Sequence, residues 1–275
     1  MYSRRPNTFR VNFRSQSFLE IYYPDNRKSS QTPNDYIQGG EQAQVHALME
    51  LIRKTKPLEE AVEELRRLFE TNKEKPVLFL SSGGSALKML DYDLPVPKNL
   101  TLSVLDERWS ADPKVNNFLQ FEETKFFKKA LISGAKIIRT VPLQGENLTQ
   151  TAERFEQELK SWRKAYQNGV IIVTMGIGED GHTAGIFPMP EAPMKFKELF
   201  LGERWVVGYD VGSKNQYPLR VTVTYTFLRM IDAGVLLATG KTKKDLLSRT
   251  EGNVELSLLP VAIIKNMKIV KIFVD

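Results

Sequence analysis

Short apolar runs alternate with stretches of helical spacing along this chain. The runs predict strands at 77–80, 100–105, 136–141, 170–175, 204–208, 220–224, 235–239 and 269–274. The helical spacing predicts helices at 45–52, 61–69, 117–131, 149–166 and 227–231, with others after Ser85 and from Thr242. Thr149 is placed to cap the helix that follows it.

Strands and helices in this order predict an α/β fold, Rossmann-like, with a mostly parallel central sheet and helices on both faces. The runs 77–80 and 170–175 are almost entirely apolar, as strands buried on both faces are. Ligands of such sheets bind at the carboxyl ends of the strands. Polar residues just after a strand are therefore the first candidates for a functional site.

Residues 1–40 differ in composition from the rest of the chain. Their first 19 positions contain four arginines and no acid. The alternating segments 9–13 and 18–22 favour an added β-ribbon or a loose tail, and an Arg-rich organelle transit peptide is the alternative. We therefore predict a basic N-terminal extension over 1–40 and a single α/β domain over 41–275.

The composition indicates a soluble globular protein. Hydrophobic residues make up 41% of the 275 positions and charged residues 26%, which is ordinary for a globular chain. No apolar run approaches the roughly 20 residues of a membrane helix, so we expect no membrane partner. The chain contains no cysteine, which excludes disulfides, thiolate nucleophiles and cysteine-bound zinc and fits a cytoplasmic location.

The net charge of +6 raises the question of nucleic-acid binding. Lysine and arginine are spread along the chain, however, and no long basic run interleaved with aromatic residues occurs. A basic protein also favours encounter with a small anionic substrate. We therefore expect a small anion as the partner and no nucleic acid.

The run Ser81-Ser82-Gly83-Gly84-Ser85 directly follows a predicted strand and precedes a predicted helix. Two glycines let the backbone approach a ligand and aim consecutive N–H groups at it, and a helix N-terminus favours anions. The run is a candidate phosphate cradle. A plain strand-to-helix turn is the alternative.

Asp106, Glu107 and Arg108 also follow a predicted strand. Two acids and a base packed together at a strand end suggest a polar site rather than core. A solvated loop with an internal ion pair is the alternative.

The glycine-rich run 175–184 follows the predicted strand 170–175. Its glycines match the dinucleotide fingerprint Gly-x-Gly-x-x-Gly. Pro188 and Pro190 stop the helix that such a fold needs, and the acid expected about 20 residues further on is missing. We infer instead that the glycines bend the backbone so that Asp180 and His182 project together into a pocket.

His182 is a candidate general base. An aspartate two residues away can orient the imidazole and stabilise its charged form. A structural histidine is the alternative. His46, the other histidine, has no acid beside it and is predicted to be an ordinary helix residue.

Two cations near strand ends are candidate phosphate ligands. Arg220 opens a predicted strand, and Lys243 follows Gly240; each could instead be an ordinary surface cation. The sequence has no Gly-x-Ser-x-Gly elbow, no zinc spacing and no nucleotide-triphosphate loop. We expect no cofactor and no metal, with an Asp106/Asp180 metal site as the open alternative.

Taken together, these residues resemble the 6-phosphogluconolactonases and, more distantly, the glucosamine-6-phosphate deaminases and isomerases. The resemblance spans about 41–275 and consists of separated motifs in matching order. They are Gly178-Glu179-Asp180-Gly181-His182-Thr183-Ala184 with Phe187-Pro188, Ser82-Gly83-Gly84-Ser85, Asp106-Glu107-Arg108 with Asn117, Arg220-Val221-Thr222, Gly240 to Lys243, Pro260 and Asp275. The first of these is highly specific for the lactonase branch.

The resemblance implies hydrolysis of 6-phosphogluconolactone, a carboxylic ester of the pentose phosphate pathway. Asp180 and His182 would activate a water, and Arg108 would place the substrate or stabilise developing charge. The residues implied to bind the substrate and its phosphate are Gly83, Gly84, Ser85, Asp106, Asn117, Arg220 and Lys243. The implied enzyme needs no cofactor and is a monomer or small homo-oligomer.

The chain departs from the family pattern at three places. The usual Thr-Pro after Gly-Gly-Ser is Ala86-Leu87, and the usual Ser-Asn is Asn116-Asn117 after a loop one residue short. The usual Ala-Ser after His-Thr is Ala184-Gly185. These departures bear on sugar selectivity more than on phosphate binding.

Two other functions fit parts of the pattern. The deaminase branch is expected to place a catalytic carboxylate five residues after the histidine, where this chain has Phe187, and an apolar ring cannot relay a proton. A non-catalytic sugar-phosphate sensor would normally carry a DNA-reading element, and residues 1–40 show no helix-turn-helix pattern.

Overall fold

The computed structural model describes residues 9–11, 19–21 and 48–275 except 111. The strands are β1 Phe9–Val11, β2 Leu19–Ile21, β3 Leu48–Arg53, β4 Pro76–Ser81, β5 Asn99–Val104, β6 Asp106–Arg108, β7 Lys136–Ile137, β8 Val170–Met175, β9 Val206–Asp210, β10 Leu219–Val223, β11 Ala233–Leu237 and β12 Ile269–Val274. The α-helices are α1 Pro57–Thr71, α2 Asn117–Glu122, α3 Lys125–Ile132, α4 Leu148–Ala165, α5 Pro193–Phe200, α6 Tyr225–Leu228 and α7 Lys241–Arg249. Short 3-10 helices span Gly84–Asp91, Gly212–Lys214 and Pro260–Asn266.

The central sheet has seven strands in the order β3-β12-β11-β8-β4-β5-β7. Every neighbouring pair is parallel, so all the carboxyl ends lie at one edge. Successive side chains of β4 point to opposite faces: Val77 and Phe79 belong to one hydrophobic cluster, Leu78 and Leu80 to the other. The sheet is covered on both faces, and the predicted α/β fold class is confirmed.

Helices cover the two faces of the sheet unequally. On one face, α1, α2, α3 and the first 3-10 helix bury a group of phenylalanines, in which Phe69 stacks on Phe126 at 5.1 Å and meets Phe79 edge-on at 5.2 Å. On the other face lie α4, α5, α6 and a second, smaller sheet. None of the helices in the described part of the chain combines the length and apolar character of a membrane crossing.

The smaller sheet is antiparallel, with the order β6-β10-β9. The sequence placed the strands at 204–208 and 220–224 in the alternation of the parallel sheet, and this was wrong. After β5 the chain leaves the central sheet at Leu105, which donates its N–H to Ser81 and accepts one from Val223. The next residues pair with β10, and the small sheet therefore stands at the carboxyl edge of the large one.

The helix predicted at 45–52 was also wrong, because Leu48–Arg53 forms strand β3. These six residues pair in parallel with β12 from Ile269 to Val274. A short apolar segment fits either period, and the open edge of β12 decided the outcome. Residues 41–47, which include His46, lie outside the described residues.

Several other boundaries differ from the predicted ones, and helix caps explain two of them. The helix predicted at 117–131 is two helices, because the Thr124 side chain accepts from Phe127 N and starts α3. Asn147, rather than Thr149, caps α4 in a reciprocal arrangement with Gln150. The predicted strand 136–141 extends only over β7, and the predicted helix after Ser85 is of the 3-10 type.

Helix α5 begins at Pro193. Proline suits this position because its missing N–H is tolerated in the first turn of a helix. At the N-terminus, β1 and β2 pair in antiparallel register. The division into a 1–40 extension and one domain over 41–275 stays a prediction.

Candidate active site

Neighbouring strands of the central sheet bring the predicted motifs to one edge. Asp180 and His182 follow β8, Gly83 follows β4 and Asp106 follows β5. These strands are adjacent in the order β8-β4-β5. Arg220 comes from β10 of the small sheet, which stands at the same edge.

His182 and Asp180 form a close pair. His182 Nδ1 lies 2.5 Å from Asp180 Oδ1, which also accepts the His182 backbone N–H at 3.1 Å. With Nδ1 bonded to a carboxylate, the neutral ring has its proton on Nδ1 and its lone pair on Nε2. The His182 side chain is 31% exposed, so the imidazole is partly open to solvent.

The arrangement favours the ionised form of Asp180. Burial alone would raise the pKa of Asp180, but the hydrogen bonds and the charge of His182 outweigh it and keep the pKa below its ordinary value. A carboxylate that stays charged can stabilise an imidazolium that forms beside it. The pair therefore has the arrangement of an oriented general base.

The glycine at 178 makes this pair possible. A Cβ at that position would collide with the ring of His182 and lie 2.8 Å from Asp180 Oδ1. The Gly178 N–H also donates to the His182 carbonyl at 2.9 Å, which closes the loop around the pair.

Phe187 links the base to a buried cation. Its ring stacks on His182 with centroids 4.2 Å apart and an interplanar angle of 20°. The Arg220 guanidinium carbon lies 5.3 Å from the centre of the same ring. The position five residues after the histidine is thus filled by an aromatic ring and not by a carboxylate.

Arg220 and Arg108 face each other across the small sheet. They are direct partners in the β10–β6 register, so both side chains project from one face. Arg220 Nη1 lies 3.4 Å from Asp106 Oδ2, and both side chains are buried. Like charges directly opposite are unfavourable, and one carboxylate balances only one of the two. The pair therefore suits an anionic ligand.

Four buried side-chain atoms in the described part of the chain have no hydrogen-bond partner. They are Ser82 Oγ, Arg108 Nε, Asn117 Oδ1 and Arg220 Nε. Native proteins leave few such atoms without an explanation. All four belong to the predicted motifs, and they include donors and acceptors.

Asn117 connects the predicted phosphate loop to Asp106. Its amide Nδ2 donates to the Asp106 carbonyl at 2.9 Å and to Oδ2 at 3.2 Å. Its Oδ1 lies where a Cβ on Gly83 would come within 2.5 Å, so only glycine fits there. The 3-10 helix that starts after Gly83 has no side-chain cap, which leaves its first N–H groups, including that of Ser85, for a ligand.

Glu107 is core rather than part of an open polar site, contrary to the sequence-based expectation for 106–108. It is fully buried. One carboxylate oxygen accepts from Arg108 N and Asn117 N at 2.9 and 2.5 Å, and the other from Phe118 N and Thr140 Oγ1 at 3.0 and 2.9 Å. Glu107 therefore fixes the start of α2, and with it Asn117.

Burial raises the pKa of Glu107 to about 7, although its hydrogen bonds oppose the shift. The native state thus keeps this proton to a higher pH than the unfolded chain, whose value is 4.5. The contribution of Glu107 to the free energy of unfolding should fall by up to about 3 kcal/mol between pH 4.5 and 7. Urea unfolding of wild type and Glu107→Gln measures it, because glutamine does not titrate. A wild-type-minus-variant difference that is the same at every pH would contradict the expectation.

The structure does not bring Lys243 into contact with the other candidates. Its neighbour Lys244 pairs with Asp275 at 3.5 Å, and Asp275 also accepts from Gly240 N at 3.0 Å. Helix α7 does pack beside the His182 loop, since Leu246 lies 3.6 Å from where a Cβ on Gly181 would be. Lys243 is one turn earlier on the same side of α7.

Sequence reasoning missed two residues of this region. Ser82 was noted only as part of a motif, yet its hydroxyl is one of the unpartnered atoms. Tyr209 on β9 carries no motif, and its buried hydroxyl contacts the loop after His182. A single tyrosine in an apolar strand gives no signal of such a role. No group of three or more potential metal ligands was found among the described residues.

The site can be compared with known proteins. Residues 42–272 match the family of glucosamine-6-phosphate isomerases/6-phosphogluconolactonase. A 6-phosphogluconolactonase of Nostoc sp. is 29% identical over 176 residues, which cover 61% of this chain and 68% of the relative. One of Synechocystis sp. is 28% identical over 113 residues, 40% of this chain and 43% of the relative.

Solved structures of 6-phosphogluconolactonases have the same fold as this chain. The 6-phosphogluconolactonase of Thermotoga maritima superimposes with a TM-score of 0.63 at 22% identity, over 83% of this chain and 99% of its own. That of Plasmodium vivax gives 0.64 at 16% identity, over 84% and 91%. That of Trypanosoma brucei gives 0.62 at 19% identity, over 82% and 95%. At these identities the likeness establishes the fold.

Proposed function

The chain belongs to the family of glucosamine-6-phosphate isomerases and 6-phosphogluconolactonases, and from that premise we propose that it hydrolyses 6-phospho-D-glucono-1,5-lactone to 6-phosphogluconate. Curated relatives with that name in Nostoc and Synechocystis support the assignment. The observation that carries it is the Asp180–His182 pair next to a group of buried, unpartnered polar atoms.

The unpartnered atoms match a phosphorylated sugar lactone in chemistry. The two Nε atoms of Arg108 and Arg220 are donors that suit a phosphate or a carbonyl oxygen. Asn117 Oδ1 is an acceptor that suits a sugar hydroxyl, and Ser82 Oγ can do either. We assign the 6-phosphate to Arg220 and the N–H groups at Gly83–Ser85, with Lys243 as a second cation at long reach.

His182 supplies the base for the hydrolytic step. Its Nε2 takes a proton from water while the water oxygen bonds to C1 of the lactone, and the carbonyl electron pair moves onto oxygen. The oxyanion then reforms the carbonyl and breaks the bond from C1 to the ring oxygen. The proton on His182 passes to that oxygen, so the base returns to its starting state.

Asp180 and Arg108 assist the step at different atoms. Asp180 holds the imidazole by Nδ1 and stabilises the imidazolium. Arg108 is the candidate for stabilising the oxyanion, as a fixed positive charge in a partly buried site does. A lactone is an activated ester, so this scheme uses no covalent nucleophile.

No observation favours deamination of an amino-sugar phosphate. The ring of Phe187 stacks on His182 and cannot relay a proton in place of a carboxylate. The cytoplasmic location, the place in the pentose phosphate pathway and a monomeric or small homo-oligomeric state belong to this proposal as expectations from the sequence.

The test is selectivity for the phosphate. The protein should accelerate opening of fresh 6-phosphogluconolactone with a kcat/KM about 100-fold above that for unphosphorylated glucono-1,5-lactone, because charge-assisted hydrogen bonds to phosphate are lost in the latter. The spontaneous rate in buffer is subtracted from each. Glucosamine 6-phosphate is the third substrate, and no ammonia should be released from it. Equal rates on both lactones, or no acceleration, would reject the proposal.

A further inference from the structure

The turn after His182 has a strained backbone, and hydrogen bonds from residues outside the turn hold it in place. Ala184 and Gly185 both have positive φ, at 48° and 68°, and Ile186 N donates to the Thr183 carbonyl at 2.8 Å. Positive φ at both central residues is the pattern of a type I′ turn, and it is unfavourable for alanine. Such a conformation persists only where neighbouring groups enforce it.

Tyr209 holds the C-terminal side of this turn by hydrogen bonds. Its hydroxyl donates to the Gly185 carbonyl at 2.6 Å and accepts the Phe187 N–H at 3.1 Å. Thr222 on β10 also holds the turn, because its hydroxyl donates to the Ala184 carbonyl. Both residues belong to the small antiparallel sheet.

The register of that sheet explains the position of Tyr209. Arg220 on β10 is paired with Arg108 on one side and Tyr209 on the other. The three side chains therefore form one row on one face, and the turn lies against this row. Burial raises the pKa of Tyr209 above its ordinary value, so the hydroxyl keeps the proton that it donates.

Phe187 transmits this constraint to the base. Its backbone N–H is bound by Tyr209, and its ring stacks on His182 at 4.2 Å and lies beside Arg220. Both hydrogen bonds of the Tyr209 hydroxyl go to the backbone, at Gly185 and at Phe187, and neither goes to His182. We propose that Tyr209 is a positioning residue, which orients His182 for the reaction by holding Phe187 against its ring. The inference rests on the proposed hydrolysis and names a residue that acts through a neighbour.

The first test compares two buried tyrosines. Tyr209→Phe should lower kcat about tenfold with KM changed less than about twofold, because the base is displaced while the phosphate ligands remain. Tyr225→Phe is the matched control: its buried hydroxyl donates to the Pro260 carbonyl at 3.0 Å and makes no hydrogen bond to the turn or to Phe187. That variant should lose thermal stability but keep both constants. Equal kcat losses in the two variants would show a general packing effect and overturn the inference.

A double-mutant cycle tests the route through Phe187. Phe187→Leu removes the stacking ring and keeps the N–H. If Tyr209 acts through that ring, adding Tyr209→Phe should cause no further loss of kcat. If the kcat losses of the two single variants multiply in the double variant, Tyr209 acts independently of the Phe187 ring, and the inference is overturned. If Tyr209→Phe does not fold, Phe187→Leu alone must reproduce the tenfold kcat loss with unchanged KM.

The last measurement does not need activity. The chain has two histidines, so imidazole NMR signals are few, and a His182→Ala spectrum identifies those of His182. A stacked ring at 4.2 Å shifts the His182 ring protons upfield. Tyr209→Phe should reduce this shift and Tyr225→Phe should not. An inactive wild type with this pattern would reject the proposed hydrolysis alone, whereas an unchanged shift in Tyr209→Phe would reject the positioning role.

Discussion

Replacing His182 with alanine is expected to lower kcat for 6-phosphogluconolactone opening by about 10²–10⁴-fold. The variant removes the lone pair that takes the proton from water, while the phosphate ligands stay in place. KM should therefore change little. The measurement is a pH-stat or coupled assay on freshly made lactone, with the spontaneous rate subtracted.

His46→Ala is the matched control for this variant, since the chain contains only these two histidines. It should keep the wild-type kcat. The removal of His182 should also leave the fold intact, because the side chain is partly exposed and its contacts are with the loop residues Asp180 and Phe187. A His182→Ala variant that retains most of the wild-type rate would remove histidine from the mechanism.

The second large effect concerns Arg220. Arg220→Met should raise KM for the phosphorylated lactone about 100-fold, because a guanidinium that binds phosphate contributes charge-assisted hydrogen bonds. The slow rate on the unphosphorylated lactone should not change. The same variant should lose about 3 kcal/mol of unfolding free energy, because Asp106 is left as an unpaired buried charge.

Two further variants separate the binding effect from the stability effect. Arg220→Met with Asp106→Asn removes the unpaired charge, so it should recover most of the stability and none of the phosphate affinity. Arg204→Met removes the partner of a similarly buried acid: the Glu156 side chain is 10% exposed against 9% for Asp106, whereas Arg204 is 47% exposed against 5% for Arg220. It should leave KM unchanged. If KM rises equally in Arg204→Met, the role of Arg220 in phosphate binding fails.

Much of the central sheet could be read from the sequence. Strands β4, β8 and β12 match their predicted apolar runs within one residue, because each is mostly apolar. The strand later found as β3 was misread as helix. Its six residues carry too short a pattern to separate two periods, and the partner that made it a strand lies more than 200 positions away.

Some features of the candidate site could likewise be predicted from the sequence, and others could not. The Asp180–His182 pair is two residues apart, and the glycine that admits the ring is four residues before it, so local sterics are visible in the sequence. Gly185 is different: its positive φ is a local feature, but a Cβ there would also lie 2.6 Å from Asp106 Cβ, which belongs to a distant part of the sequence. The roles of these residues in catalysis stay predictions.

Apolar runs, turns and a histidine two residues from an aspartate are local features, and they could be predicted without a structure. Which charged side chains meet depends on how distant segments pack. The tertiary structure placed Arg220 against Asp106, buried Glu107 under the N-terminus of α2 and put the Tyr209 hydroxyl under a strained turn. The physical reason is that strand period and backbone sterics act between near neighbours in sequence. Burial, cross-strand register and unpaired polar atoms are properties of segments that meet only after the chain has folded.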